Sequence, residues 1–201
     1  MPDLRPWPAV LLAGLLLLAT ACEDDRPEPA PEPATSTPLA EVATGTIAVA
    51  RVDLCPRIAP AAVEEALGSA PTTSERWANG ERARLAPGVT DVAHEFGCRW
   101  TAGGTTARAW VFAPPVTPGR AELLRRAAGR APGCEPVPDA PRFGSRDVAV
   151  RCSEDDREVT AFHGLFGDAW LSCSLETTHA APDLLDRTGR WCVAALQAGA
   201  A

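Results

Sequence analysis

Phe96-Gly97-Cys98-Arg99-Trp100-Thr101-Ala102-Gly103-Gly104-Thr105-Thr106-Ala107-Arg108-Ala109-Trp110-Val111-Phe112 decides the fold. Phe96, Cys98 and Trp100 alternate with other residues, and so do Ala107, Ala109 and Val111. A period of two is the signature of a strand with one buried face. Gly103-Gly104 between the runs suits a two-residue hairpin turn, whose central residues need positive φ. With the turn there, Cys98 faces Ala109 and Phe96 faces Val111 on a core face. The opposite face then carries Arg99, Arg108, Trp110 and Phe112.

The pattern extends in both directions. Upstream, residues 47–52 alternate weakly and predict a short strand. Pro60 to Gly68 predicts a helix, with proline in the first turn and glycine just past the end. Residues 69–93, rich in Pro, Thr, Ser, Gly and Arg, read as a long surface loop, in which Trp77 either is exposed or folds back as a lid on the core. Downstream, Thr117-Pro118 opens a helix that stops near Gly129. A proline-rich loop follows from Pro132 to Gly144. Strands are expected over 147–152, 158–163 and 169–175, separated by turns at Asp155-Asp156 and Gly167-Asp168. A last helix begins around Pro182, with Leu184, Leu185, Thr188, Trp191, Cys192, Ala195 and Leu196 at helical spacing. The order predicts an α+β domain: an antiparallel sheet of about five strands with helices packed on one face.

Seven cysteines are present, and six of them, Cys55, Cys98, Cys134, Cys152, Cys173 and Cys192, fall inside this domain. None is in a C-x-x-C pair, which argues against zinc or thioredoxin-type chemistry. Widely spaced, even cysteines in an exported chain read as disulfides. Six allow 15 connectivities. The sequential set Cys55–Cys98, Cys134–Cys152 and Cys173–Cys192 is expected, and for the third pair Cys192 on the helical stripe can meet Cys173 on a strand beneath it.

The seventh cysteine has a different setting. Val10 to Ala19 is a run of ten apolar or small residues, followed by Thr20-Ala21-Cys22 and then Glu23-Asp24-Asp25. Ten is half of what a membrane-spanning helix needs, about 20. It suits the apolar region of a signal peptide over residues 1–21. Ala19-x-Ala21 alone would suit ordinary signal peptidase and release a free chain. Leu18-Ala19-Thr20-Ala21-Cys22 also reads as a bacterial lipobox, in which Cys22 becomes the acylated first residue. Residues 22–46 then form a lipidated cysteine and a proline-rich tether, and residues 47–201 the domain. Alternate prolines favour extended polyproline II.

Net charge is -7, and all 19 basic residues are arginine. Residues 23–46 carry six acids against one arginine, so the domain itself is close to neutral. This is not the basic footprint of a nucleic-acid binder. The absence of lysine and tyrosine, with abundant Ala, Pro and Gly, suggests a GC-rich genome.

Enzyme signatures are missing: there is no G-x-S-x-G elbow, H-E-x-x-H, P-loop or G-x-G-x-x-G. His163 and Asp168 flank one turn, with Ser172 or Ser174 able to approach. A turn histidine beside a turn aspartate is the plainer reading. Glu154-Asp155-Asp156 lacks the spaced oxygen ligands of a calcium loop. No metal or cofactor is expected. Arg99, Arg108 and Trp110 form the better ligand candidate. Arg99 would sit opposite Arg108, a destabilising like-charge pair that suits an anion if it is not simply neutralised by a nearby acid such as Glu95.

Cys55, the helix ending in Leu67-Gly68, and Cys98-Arg99-Trp100, behind a lipobox and proline-rich tether, resemble a family of actinobacterial cell-envelope lipoproteins of unknown function. A more distant resemblance is to the extracellular sensor domains of mycobacterial serine/threonine kinases. The likeness spans roughly residues 48–198. Pro56-Arg57 directly after Cys55 departs from the family, which usually continues with Leu. The resemblance implies a disulfide-stapled α+β fold and an envelope location, and carries over no catalytic residues.

These readings converge on a non-enzymatic lipoprotein on the outer face of the plasma membrane. Cys22 anchors it through a lipid such as palmitate, and its domain binds an envelope ligand or protein. Alternatives are a cell-wall accessory enzyme, or a lipid carrier with a large apolar cavity.

Overall fold

A computed structural model describes residues 36–86, 88–179 and 181–201. The expected signal peptide, Cys22 and the expected tether up to residue 35 lie outside the described residues. The chain forms α1 (Pro60–Leu67), β1 (Thr73–Trp77), β2 (Arg82–Ala86), β3 (Val89–Val92), β4 (Glu95–Ala102) and β5 (Thr105–Phe112). Then come α2 (Pro118–Ala128), β6 (Cys134–Pro136), β7 (Ser145–Glu154), β8 (Arg157–Phe166), β9 (Ala169–Thr177) and α3 (Leu184–Gly199).

Seven strands make one antiparallel sheet in the order β1-β4-β5-β9-β8-β7-β6, while β2 and β3 pair as a separate ribbon. The fold is α+β, as the sequence predicts, with seven strands in the sheet where about five were expected. The two additions are its edges. β1 comes from the stretch read as a surface loop, and four of its five residues are exposed. β6 has three residues and ends in Pro136. Short, polar or proline-bearing strands are what sheet edges favour, and they carry little hydrophobic period to read.

The β4–β5 hairpin has the expected register: Phe96 opposite Val111, Cys98 opposite Ala109, Arg99 opposite Arg108. Gly103 and Gly104 turn it with φ of 55° and 82°, both in the region glycine reaches without strain. On one face, Cys98, Ala107, Ala109, Val111, Leu171, Cys173 and Leu175 are buried together with Leu184, Trp191, Cys192 and Leu196 of α3 and Val63 of α1. The Trp191 ring edge meets Trp100 at 5.5 Å, and its Nε1 donates to the Arg108 carbonyl at 2.8 Å.

α2 departs from the expectation of helices on one face. Its Ala121 and Leu124 pack with Val116, Leu165, Trp170, Trp110 and Phe112. Leu165 and Trp170 are register partners on the face opposite Leu171, because side chains alternate along a strand. α2 therefore covers one end of the second face. Thr117 caps it, its hydroxyl accepting from the Arg120 amide at 3.3 Å.

The disulfides are Cys55–Cys98, Cys134–Cys152 and Cys173–Cys192, with Cα separations of 5.9, 3.9 and 5.5 Å. They close loops of 43, 18 and 19 residues, each worth roughly 3 to 4 kcal/mol in the chain-entropy model.

Residues 38–46, which the sequence reading gives to the tether, pack on this domain. Leu39 and Thr44 are buried, and the Thr44 hydroxyl donates to the Arg142 carbonyl at 3.1 Å and accepts from the Gly144 amide at 3.0 Å. Gly189 of α3 leaves room for Leu39, whose Cβ would lie 3.2 Å from a side chain there. The short strand expected over 47–52 reduces to one bridge, Val49 to Ala200.

Candidate functional site

The end of the second face away from α2 is built from alternate residues of four strands. β1 supplies Glu75 and Trp77, β4 supplies Glu95, Gly97 and Arg99, β5 supplies Thr106 and Arg108, and β9 supplies Glu176. Arg99 and Arg108 lie directly opposite each other. This is the like-charge pair expected from the hairpin, and its neighbours reduce the repulsion. Arg99 forms an ion pair with Glu75, its register partner on β1. Arg108 is half-buried, and desolvation followed by the charge of Arg99 lowers its pKa, while Glu95, Glu176 and Glu75 act the other way.

Trp77 lies on the same face, beside these residues. It is 3% exposed and buried with Ala83 and Ala93, so it is neither an exposed loop tryptophan nor a lid on the main core. Its ring lies across Gly97, where a Cβ would come within 2.4 Å of it. Its Nε1 donates to Glu95 Oε1 at 3.0 Å, and the Arg108 guanidinium stands 5.8 Å from the ring centroid, in cation–π range. Burial raises the Glu95 pKa against the Trp77 hydrogen bond and the Arg108 charge.

On this face is an open concavity of about 440 Å³, lined by Arg84, Arg99, Arg108 and Arg157 with Glu75, Glu176, Thr101 and Thr106. Arg84 comes from the separate β2–β3 ribbon. Arg157 opens β8 and pairs with Glu176 at 3.1 Å. Of the three residues expected to bind ligand, Arg99 and Arg108 are on this concavity. Trp110 shares their face but packs against Phe112, centroids 4.9 Å apart, in the cluster under α2. Arg84, Arg157 and Glu75 were not found from sequence. The alternation Thr73-Glu75-Trp77 was the available signal for Glu75. Only the sheet register brings Arg157 beside the hairpin.

The His163 surroundings are also defined. His163 Nδ1 and Ser172 Oγ are 2.7 Å apart, and the imidazole stacks on Trp170 at 6.4 Å and 11°. Burial pushes the imidazole pKa down to about 4. Ser172 is 1% exposed, so its hydroxyl is not presented to solvent. Asp168 reaches Arg51 at 3.4 Å. The arrangement is a part-buried polar contact between neighbouring strands. Asp155 has φ of 51° in the β7–β8 turn, and among the described residues no His/Cys/Asp/Glu group is placed to hold a metal ion.

Three disulfides belong to an oxidising compartment and mark this as a domain that folds outside the cytoplasm. Among the described residues, no helix is long and apolar enough to cross a membrane. No protein-family model matches the chain, and a search of curated proteins finds no match.

Proposed function

We propose that the chain is a lipid-anchored envelope lipoprotein whose domain binds a carboxylate-bearing ligand on the Arg99/Arg108 face. The reading is of a binder and not of an enzyme. The observation that carries it is the cross-strand arginine pair on the floor of an open concavity, with two further arginines at its sides. A guanidinium presents donors in a fork that matches a carboxylate. The four arginines face Glu75 and Glu176 in the lining, with Glu95 close to Arg108. That leaves one positive charge in excess, which a monoanion neutralises. Thr101 and Thr106 add hydroxyls suited to a sugar or other polar body.

The anchor rests on the lipobox reading of Cys22. With residues 38–46 packed on the domain, the chain between Cys22 and Ser36 would form the tether. Extended as polyproline II at about 3.1 Å per residue, it reaches roughly 45 Å.

The binding test is calorimetric titration of glucuronate into wild type and an Arg84→Gln/Arg157→Gln variant. These arginines lie at the sides of the site and leave its floor intact. The expected result is saturable binding that weakens at least about tenfold, about 1.4 kcal/mol, in the variant. Equal affinity rejects the site. Intact mass of the native mature protein tests the anchor: added acyl mass on a chain beginning at Cys22 supports it, and an unacylated chain rejects it.

A further inference from the structure

Beyond that face, α2 and the start of β7 enclose a second open cleft, of about 770 Å³. It lies at the other end of the strands. Arg157 begins β8, whereas Leu165, eight residues on, is the register partner of Ser145 at this cleft. Eight residues of strand span roughly 26 Å, so the two concavities do not share a ligand.

The cleft is lined by Arg125, Arg126, Arg142 and Arg146 against two acids, Glu122 and Asp147. Both acids are already engaged. Glu122 accepts from Arg125 Nε at 3.0 Å, Arg125 Nη2 at 2.8 Å and Arg126 Nε at 2.9 Å. Asp147 pairs with Arg142 at 3.0 Å and accepts from the Phe143 amide at 2.9 Å. Their lone pairs hold arginines in place and leave a surplus of N–H donors, since each guanidinium carries five. The hydrogen bonds from Arg125 and Arg126 hold the Glu122 carboxyl down to about 2, so it is an anion at neutral pH.

Arg146 adds an independent observation. It sits at the irregularity in β7 with φ of 52°, where a long side chain is disfavoured and glycine or asparagine would be at ease. Among the ion pairs of the described residues, none involves Arg146. A guanidinium therefore stands at a strained position, on a charged cleft, with no ion pair to an acid among the described residues.

We infer that the α2–β7 cleft binds a phosphomonoester through Arg125, Arg126, Arg142 and Arg146. The cleft carries two positive charges in excess, and a phosphomonoester near neutral pH carries about -1.5 to -2 with three strong acceptor oxygens. A carboxylate offers one charge and two oxygens and leaves the surplus unmatched. The same group occurs on soluble phosphoesters and on a lipid headgroup.

The test uses the full mature protein in neutral detergent micelles. Inorganic phosphate and glycerol 3-phosphate are the soluble probes, and phosphatidic acid mixed into the micelles is the lipid probe. Arg146→Gly keeps the fold, because glycine relaxes the positive φ, and it weakens phosphate binding at least about tenfold. Arg142→Gln does the same. Arg84→Gln, in the other concavity, leaves phosphate affinity unchanged. The inference is overturned if phosphate shows no saturable binding, if Arg146→Gly and Arg142→Gln bind it like wild type, if Arg84→Gln loses it equally, or if acetate competes at equal concentration. Stronger binding to phosphatidic acid than to glycerol 3-phosphate supports the site with the headgroup as source, and equal binding supports it with a soluble phosphoester.

Discussion

The two faces of the sheet share a backbone and differ in almost everything else. Along β5, Ala107, Ala109 and Val111 are fully buried under α1 and α3, while Thr106, Arg108, Trp110 and Phe112 between them point the other way. The first face is closed by two helices and two disulfides, Cys55–Cys98 and Cys173–Cys192. The second is closed at the α2 end and, around Trp77, by Ala83 and Ala93, and between these covers arginines and glutamates from four strands lie together. The closed face accounts for stability, and the open face has chemistry that stability does not require. A sheet that needed only to be folded could carry neutral polar residues at Arg99 and Arg108 without the repulsion between them.

That contrast fails first if the closed face proves dispensable. Leu171→Ala removes a fully buried side chain between sheet and helix, and should cost about 2–5 kcal/mol in urea unfolding. Replacing both Cys173 and Cys192 by serine should cost roughly 3 kcal/mol, because the 19-residue loop reopens in the unfolded state.

Acid should act through His163. Its folded pKa, about 4, lies below the ordinary 6.5, so the unfolded chain binds the proton more tightly. The stability it contributes is complete above pH 6.5 and is lost as pH falls through 4, by up to about 3 kcal/mol. His163→Gln should remove that part of the slope. Glu95 has the opposite sign: its folded pKa is raised from 4.5, so its contribution is present below 4.5 and is lost as pH rises through the folded value. Unfolding measured from pH 3 to 7 in Glu95→Gln should show a smaller loss toward neutrality than wild type.

Gly97→Ala probes the Trp77 end of the open face. The new Cβ would meet the Trp77 ring at 2.4 Å, so the indole must shift and its bond to Glu95 must break. A cost of about 1–3 kcal/mol is expected, with a change in tryptophan emission. The smallest effect belongs to the sides of the site. Arg84→Gln and Arg157→Gln should change stability by less than about 0.5–1 kcal/mol, since exposed pairs contribute little.

Much of the closed face was legible in the sequence, because burial on one side imposes a period. The Phe96–Val111 and Cys98–Ala109 register, the stripe on α3 and the pairing of Cys173 with Cys192 all follow from that period. Less was legible where burial is absent or shared. β1 has one buried side chain in Thr73-Ser74-Glu75-Arg76-Trp77, and β6 ends in proline. The face chosen by α2 depends on Trp110, Phe112 and Trp170, whose alternation with small residues reads equally well as surface. Leu39 and Thr44 lie among prolines and threonines, and their burial depends on Gly189 and Gly144, more than 90 residues away. The open face was half legible. Arg99 and Arg108 are local to one hairpin, while Arg84, Arg157 and Glu176 join them only through the order of strands.

The most direct test of the open face as a binding surface is calorimetric titration of glucuronate, at low and high salt, into wild type and the Arg84→Gln/Arg157→Gln variant. The account predicts one saturable, salt-sensitive site per chain, weakened at least about tenfold in a variant whose thermal midpoint barely moves. Binding of equal strength in both proteins, or none in wild type, would contradict it.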